Sequence, residues 1–286
     1  MASRIHPRPR RPSPVCGAGG GSSTMTEDFT PTPEETSDAP RGERIAKFLA
    51  RAGVASRRDV ERMIEDNRIK LGGQPVTHPA TFVQPGDIVL VDGKPVDNPE
   101  RTRLWRYHKP DGLLTTHRDP QERKTVFDSL PEGMPRVISV GRLDINSEGL
   151  LLLTNDGELA RRLELPGNAW VRRYRVRVFG VVDEKRLASL VNGFEYEGVK
   201  YGSIEAELDS KKGDNSWLTV SLREGKNREI RRVMQGLNLH VSRLIRLSYG
   251  PFQLGSLKAR ELEEVNGKTL REQIPDLPAP TRKRTR

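Results

Sequence analysis

The chain has 286 residues, enough for two domains, with 49 lysines and arginines against 39 acidic residues and a formal net charge of +10. That excess favours a polyanionic partner, and no apolar run approaches the roughly 20 residues needed to cross a bilayer, so nucleic acid in the cytoplasm is the expectation and membrane insertion is not. The basic N-terminus lacks the apolar core of a secretory signal, the single Cys16 excludes an internal disulfide framework, and five scattered histidines offer no zinc cluster.

Residues 1–40 read as a disordered tail. They run from Arg and Pro through a Gly/Ser stretch at residues 17–23 into an acidic Thr/Pro/Glu segment, and Met25 stands inside them as a second candidate start. The glycines follow no apolar strand, so they are linker rather than a dinucleotide-binding loop. Residues 41–98 read as a compact basic unit. Ile45, Phe48, Leu49 and Ala52 fall at helical spacing and Gly53 suits the residue just past a helix end. Ser56 then caps a second helix whose buried stripe is Val60, Met63 and Ile64. Arg51, Arg57, Arg58 and Arg62 gather at the junction of the two helices. Small strands follow at residues 68–71 and 88–91, closed by turns at Gly72-Gly73 and Asp92-Gly93.

After a Pro/Asn/Arg linker at residues 97–102, a larger region runs over residues 103–267. It opens with a strand through Trp105-Arg106-Tyr107-His108-Lys109-Pro110. Four leucines ending at Thr154 read as a buried strand, with Asp156-Gly157 as a hairpin-type turn leading to a short helix through Leu159, Ala160 and Leu163. Tyr174, Val176 and Val178 alternate with Arg173, Arg175 and Arg177, giving a strand with one apolar and one basic face. Leu218, Val220 and Leu222 make another, Asn227 is placed to cap the helix that follows, and residues 241–247 are sheet-forming. Strands with isolated helices and no regular β-α-β rhythm argue for an α+β fold. Residues 275–286 read as a disordered basic tail.

The segment from Gly141 to Gly157 sets Arg142 beside Asp144 in a polar loop and anchors that loop to the leucine strand. A carboxylate held so rigidly suits a reacting group. On spacing alone the commoner reading of this pattern is structural, with Asp144 capping a turn and Arg142 satisfying it.

Residues 44–58 resemble the alpha-L RNA-binding module named for ribosomal protein S-four. The resemblance implies that Lys47, Arg51, Arg57 and Arg58 contact folded RNA through shape and phosphate rather than sequence. The larger region resembles the ribosomal RNA pseudouridine synthases of the RsuA and RluB type. The matching pieces are Tyr107-His108-Lys109-Pro110, the Gly141–Gly157 segment, residues 172–176, and Glu224-Gly225-Lys226-Asn227-Arg228-Glu229-Ile230-Arg231-Arg232. The closing residues 241–250 lie nearer the RluB branch, which acts on large-subunit ribosomal RNA.

This resemblance implies a mixed, mainly antiparallel sheet with flanking helices behind the small RNA-binding domain. It makes Asp144 the essential carboxylate of uridine-to-pseudouridine isomerisation, Arg231 its basic partner, and Tyr174 the ring that stacks on the target base. Arg142 is implied to orient the loop or contact phosphate, with Arg173, Arg175, Lys226 and Arg228 as further RNA contacts. The reaction changes no oxidation state, so no cofactor or metal is expected; the partner is large-subunit ribosomal RNA or an assembly precursor, met by a monomer. A non-catalytic RNA-binding assembly factor is the competing reading. An RNA methyltransferase lacks its glycine-rich strand-turn-helix here.

Overall fold

Ile45, Phe48 and Leu49 are buried on one side of helix α1 (Ile45–Arg51), and Gly53 just beyond it takes the left-handed φ of 83° that lets the chain turn away. Ser56 caps α2 (Arg57–Glu65) by accepting from the Asp59 N–H at 3.2 Å, as its place in the sequence implies. Val60, Met63 and Ile64 close a small core with α1, to which β1 (Ile69–Leu71) and β2 (Val89–Val91) add Ile69 and Val89. Asp92 and Gly93 both hold positive φ, the pattern that a two-residue hairpin of matching twist requires. The computed structural model describes residues 42–274. The tails at 1–40 and 275–286, with Cys16 and Met25, lie outside the described residues.

The larger region is built on one sheet. Its elements are β3 (Leu104–Lys109), β4 (Ile138–Val140), β5 (Glu148–Thr154), α3 (Gly157–Glu164), β6 (Arg172–Phe179), α4 (Glu184–Ser189), β7 (Ile204–Lys212), β8 (Asn215–Leu222), α5 (Glu229–Gly236), β9 (His240–Tyr249), β10 (Leu262–Glu264) and α6 (Gly267–Gln273). The strands run in the order β7-β8-β6-β9-β5-β3-β10, with β4 added to β5. Every pairing on this path is antiparallel except β5 with β9, where Ile245 faces Glu148 and Arg246 faces Gly149. The α+β, mixed and mainly antiparallel architecture expected from the sequence is present.

Alternation along the strands covers the sheet on both sides. Tyr107, Leu151, Val176 and Val220 meet Ile230, Val233 and Met234 of α5 in one core. Leu104, Leu150 and Leu152 turn the other way, against Leu159, Ala160 and Leu163 of α3 and Leu270 of α6. The packed structure thus continues past Gly267, because α6 brings Leu270 and Ile274 into that second core.

Two local expectations are corrected. Asp156 does not open a hairpin: its side chain accepts from Glu158 N and Leu159 N and so caps α3, while Thr102 Oγ1 donates to it at 2.6 Å. Asn227 does not cap α5; Arg228 occupies that place with a left-handed backbone, and no side chain bonds the first turn from it. The segment before β3 is tied down, since Asn155 Nδ2 donates to Arg101 O at 2.9 Å. The small basic module also touches the sheet region directly, through Lys47 with Glu158 and Arg118 with Asp59.

Candidate active site

Asp144 stands on the loop between β4 and β5, half-buried, and every backbone carbonyl from Leu143 to Ser147 has a donor. Thr115 Oγ1 donates to Leu143 O at 2.9 Å, and Ser147 N to Asp144 O at 3.0 Å. Gly112 N donates to Ile145 O at 2.9 Å, and Arg231 Nη2 to Asn146 O at 2.6 Å. Lys109, fully buried, donates from Nζ to Ile145 O, Ser147 O and Pro110 O at 3.2, 2.8 and 3.0 Å. Residues 109–115 and Arg231 of α5 thereby fix one five-residue loop from outside. A reacting group held this way needs no reorganisation at the moment of reaction. Burial pushes the Lys109 ammonium down to about 8, against the pull of Asp111, Asp144 and Glu148 nearby.

Gly149 lets this loop join the sheet. It holds a φ of 100°, and a Cβ there would stand 2.3 Å from the carbonyl oxygen of Arg246, so only glycine allows β5 and β9 to come together. Glu148, one residue earlier, receives both Arg243 Nε and Nη2, at 2.7 and 2.8 Å. That fork holds the Glu148 carboxyl below its usual range.

The loop faces a cavity of about 280 Å³ lined by Arg142, Asp144, Tyr174, Arg228, Glu229 and Arg246, among others. Tyr174, 9% exposed, lies on β6 with Val220 and Arg246 as its neighbours in register. Arg228 Nη1 comes to 3.6 Å from Asp144 Oδ2, and its backbone is left-handed, φ 50° and ψ 32°, a conformation that costs a non-glycine residue strain. Glu229 is buried in the same wall, its Oε2 accepting from Lys226 N at 2.9 Å, and burial pushes its carboxyl above the usual range.

The sequence-derived residues divide into two groups. Asp144, Tyr174, Arg142, Arg228 and Lys226 come together around the cavity. Arg231 is not within ion-pair distance of Asp144: its guanidinium donates to Asn146 O and to Val241 O, so it holds the loop while Arg228 faces the carboxylate. Arg173 and Arg175 are exposed on the face of β6 opposite Tyr174, with the Arg175 guanidinium 4.8 Å from the Trp217 ring centre. Lys226 reaches Glu224 Oε2 and Lys200 O, each at 2.7 Å. In the small module Arg57 and Arg58 are exposed, whereas Lys47 and Arg51 are half-buried and engaged by Glu43, with Glu158 also on Lys47. Lys109 and Arg246 were not singled out from the sequence. The available signal was parity: Trp105, Tyr107 and Lys109 share one face of β3, which carries the lysine inward.

Residues 103–236 match the family described as RNA pseudouridylate synthase, and residues 43–89 match the S4 domain. An uncharacterized RNA pseudouridine synthase of Rickettsia bellii is 50% identical over 226 residues, covering 79% of this chain and 98% of that protein. The ribosomal large subunit pseudouridine synthase B of Haemophilus influenzae is 43% identical over 252 residues, covering 84% of this chain and 70% of that protein. A crystal structure of a pseudouridylate synthase shares the fold, with a TM-score of 0.56 at 22% identity over 81% of this chain and 99% of that one. An α+β sheet enzyme behind a small RNA-binding module is the class that fold and cavity define. The chain belongs to the RNA pseudouridine synthase family. No helix among the described residues is long and apolar enough to cross a membrane.

Proposed function

We propose that the protein isomerises uridine in large-subunit ribosomal RNA to pseudouridine, with Asp144 as the essential carboxylate. The observation that carries this reading is a carboxylate on a fully bonded loop, across a cavity from a nearly buried tyrosine and beside a guanidinium 3.6 Å away. The reaction breaks the bond from C1′ to N1, turns the base, joins C1′ to C5, and moves the C5 proton away. Attack by the aspartate on C1′ and abstraction of the 2′ proton to give a glycal both need an ionised carboxylate beside the sugar, and Arg228 Nη1 stands 3.6 Å from Asp144 Oδ2. Tyr174 stacks on the base and assists loss of the C5 proton. Arg231 acts on Asp144 through the loop that it holds.

The target uracil must leave its stack, at a cost of roughly a few kcal/mol that is lower in an RNA loop. Arg142, Lys226 and Arg228 at the cavity mouth, with Arg57 and Arg58 on the module, supply phosphate contacts that offset it. Residues 41–98 serve as the RNA-binding domain and residues 103–267, extended by α6, as the catalytic one. The relatives called synthase B carry the large-subunit assignment through their names. A monomer working in the cytoplasm without a cofactor completes the reading.

Carbodiimide primer extension across ribosomal RNA from a deletion strain tests it. One or a few large-subunit stops should vanish on deletion and return with the wild-type gene but not with Asp144→Asn. An unchanged pattern would leave only RNA binding, the assembly-factor alternative.

A further inference from the structure

Arg246 carries a buried charge that no acidic side chain among the described residues neutralises. It is 3% exposed, and the one hydrogen bond from its guanidinium is Nε to Leu150 O, at 2.7 Å. Nη2 is buried without a partner, and among the described residues no carboxylate comes within ion-pair distance of this side chain. Its neighbour Tyr249 is 2% exposed, with the Arg246 guanidinium carbon 5.2 Å and that of Arg172 4.8 Å from its ring centre. Arg172 spends its donors locally, Nη1 on Arg223 O and Glu224 O and Nη2 on the Tyr249 hydroxyl. Both guanidiniums, Tyr249, Asp144 and Tyr174 line the same cavity. In register, Arg246 stands directly opposite Tyr174, and Arg172 opposite Tyr249.

Of the acids that line this cavity, Glu164 accepts from Gly141 N at 2.6 Å and Glu229 Oε2 from Lys226 N at 2.9 Å, while Glu229 Oε1 is buried without a partner and forms no ion pair with Arg246. A desolvated guanidinium with a spare donor is costly unless an anion completes it. The aromatic ring is a weaker substitute for that anion.

We propose that Arg246, positioned by Tyr249 and Arg172, is an anion seat in the cavity floor for an oxygen of the bound nucleotide. The proposal rests on the pseudouridine reading. A target nucleotide offers such an oxygen in two places. One is its backbone phosphate. The other is the uracil ring, whose oxygens take the charge when the C1′–N1 bonding pair leaves with the base, until the bond from C1′ to C5 forms and the proton from C5 is released. Either way the seat is distinct from the exposed cations at the mouth, and its strength comes from being fixed and dry.

The test uses the full chain with Arg246→Gln and Arg246→Lys on three RNAs. These are the mapped target fragment, the same fragment with a neutral methylphosphonate 5′ to the target, and the same fragment with 5-fluorouridine at the target, whose base leaves more readily. If the seat holds phosphate, the methylphosphonate weakens binding to the wild type but not to Arg246→Gln. If it holds the leaving base, Arg246→Gln binds normally, its single-turnover rate of C1′–N1 cleavage, a step that comes before any loss from C5, falls by about 100-fold or more, and 5-fluorouridine recovers more of that cleavage rate in the variant than in the wild type. In both cases Arg246→Lys recovers part of the loss. Equal behaviour of Arg246→Gln and wild type on all three RNAs overturns the proposal. So does an equal loss on all three that accompanies a lowered melting temperature and is not relieved by Arg246→Lys. Turnover by Asp144→Asn would overturn the pseudouridine reading itself, whatever Arg246 does.

Discussion

The two walls that face each other across the cavity are built on opposite plans. The Asp144 loop has every carbonyl from Leu143 to Ser147 bonded, two of its clamps being the side chains of Lys109 and Arg231. The segment at residues 225–228 is exposed, bears Lys226 and Arg228, and ends in a strained left-handed residue. The group that must not move is held by neutral carbonyls gripping fixed cations. The groups that must meet a flexible polyanion are left on an adjustable edge.

The most severe way to break that contrast is at the carboxylate. Asp144→Asn keeps the size and removes the charge, so pseudouridine formation by purified protein should vanish while RNA affinity stays within a few-fold. Loss of binding and structure together would instead make Asp144 a structural turn residue.

Breaking the clamp comes next. Lys109→Met leaves Ser147 O and Pro110 O without their donor and should cost about 2–4 kcal/mol in chemical denaturation, with a slower single-turnover rate. The pH dependence sharpens this. The folded lysine titrates at about 8, and an unfolded one near 10.4. Between these values the unfolded chain binds more protons, so this group makes stability rise with pH there, and the slope should be absent in the variant.

On the adjustable side the effect should fall on capture. Reversing Arg57 and Arg58 to Glu should weaken binding and flatten its salt dependence by about 0.7–0.9 per lost phosphate contact, leaving the single-turnover rate at saturating RNA little changed. A double variant that binds normally but reacts slowly would place the module inside the active site. Smaller still is Arg228→Gly. It relieves a left-handed backbone worth about 1 kcal/mol while removing the cation beside Asp144, so stability should hold or rise as turnover falls. At the bottom of the scale, deleting residues 1–40 should leave melting temperature and turnover unchanged, because that composition has too little apolar content to join a core.

Local pattern made much of this legible. Helix spacing with Gly53 and Ser56 marks α1 and α2, the leucine run marks β5, and the Arg/Val alternation marks β6, so the places of Asp144 and Tyr174 follow from short stretches of chain while their expected roles rest on the resemblance. What stayed hidden depends on distant partners. Asp156 reads equally as a turn or a cap until Glu158 N and Leu159 N are seen on its side chain. Arg228 and Arg231 share one motif, and only the fold shows that the first stands beside Asp144 while the second bonds Asn146 O and Val241 O. The unpartnered charge of Arg246 shows only once β9 lies beside β5.

That last pairing has a consequence for how the protein comes into being. It joins Gly149 to Arg246 and lets Arg246 bond Leu150, 96 residues away in sequence. Contacts so remote close late, because the chain between them must first give up its freedom. During synthesis the leucine strand therefore lacks this neighbour until residues 240–249 have emerged. Until then the start of that strand, at Glu148 and Gly149, is open to wrong partners, β4 covering only its far half. Refolding should accordingly be slower than for a local helical fold, and a chain truncated before β9 should bind RNA through its first module yet hold no finished cavity.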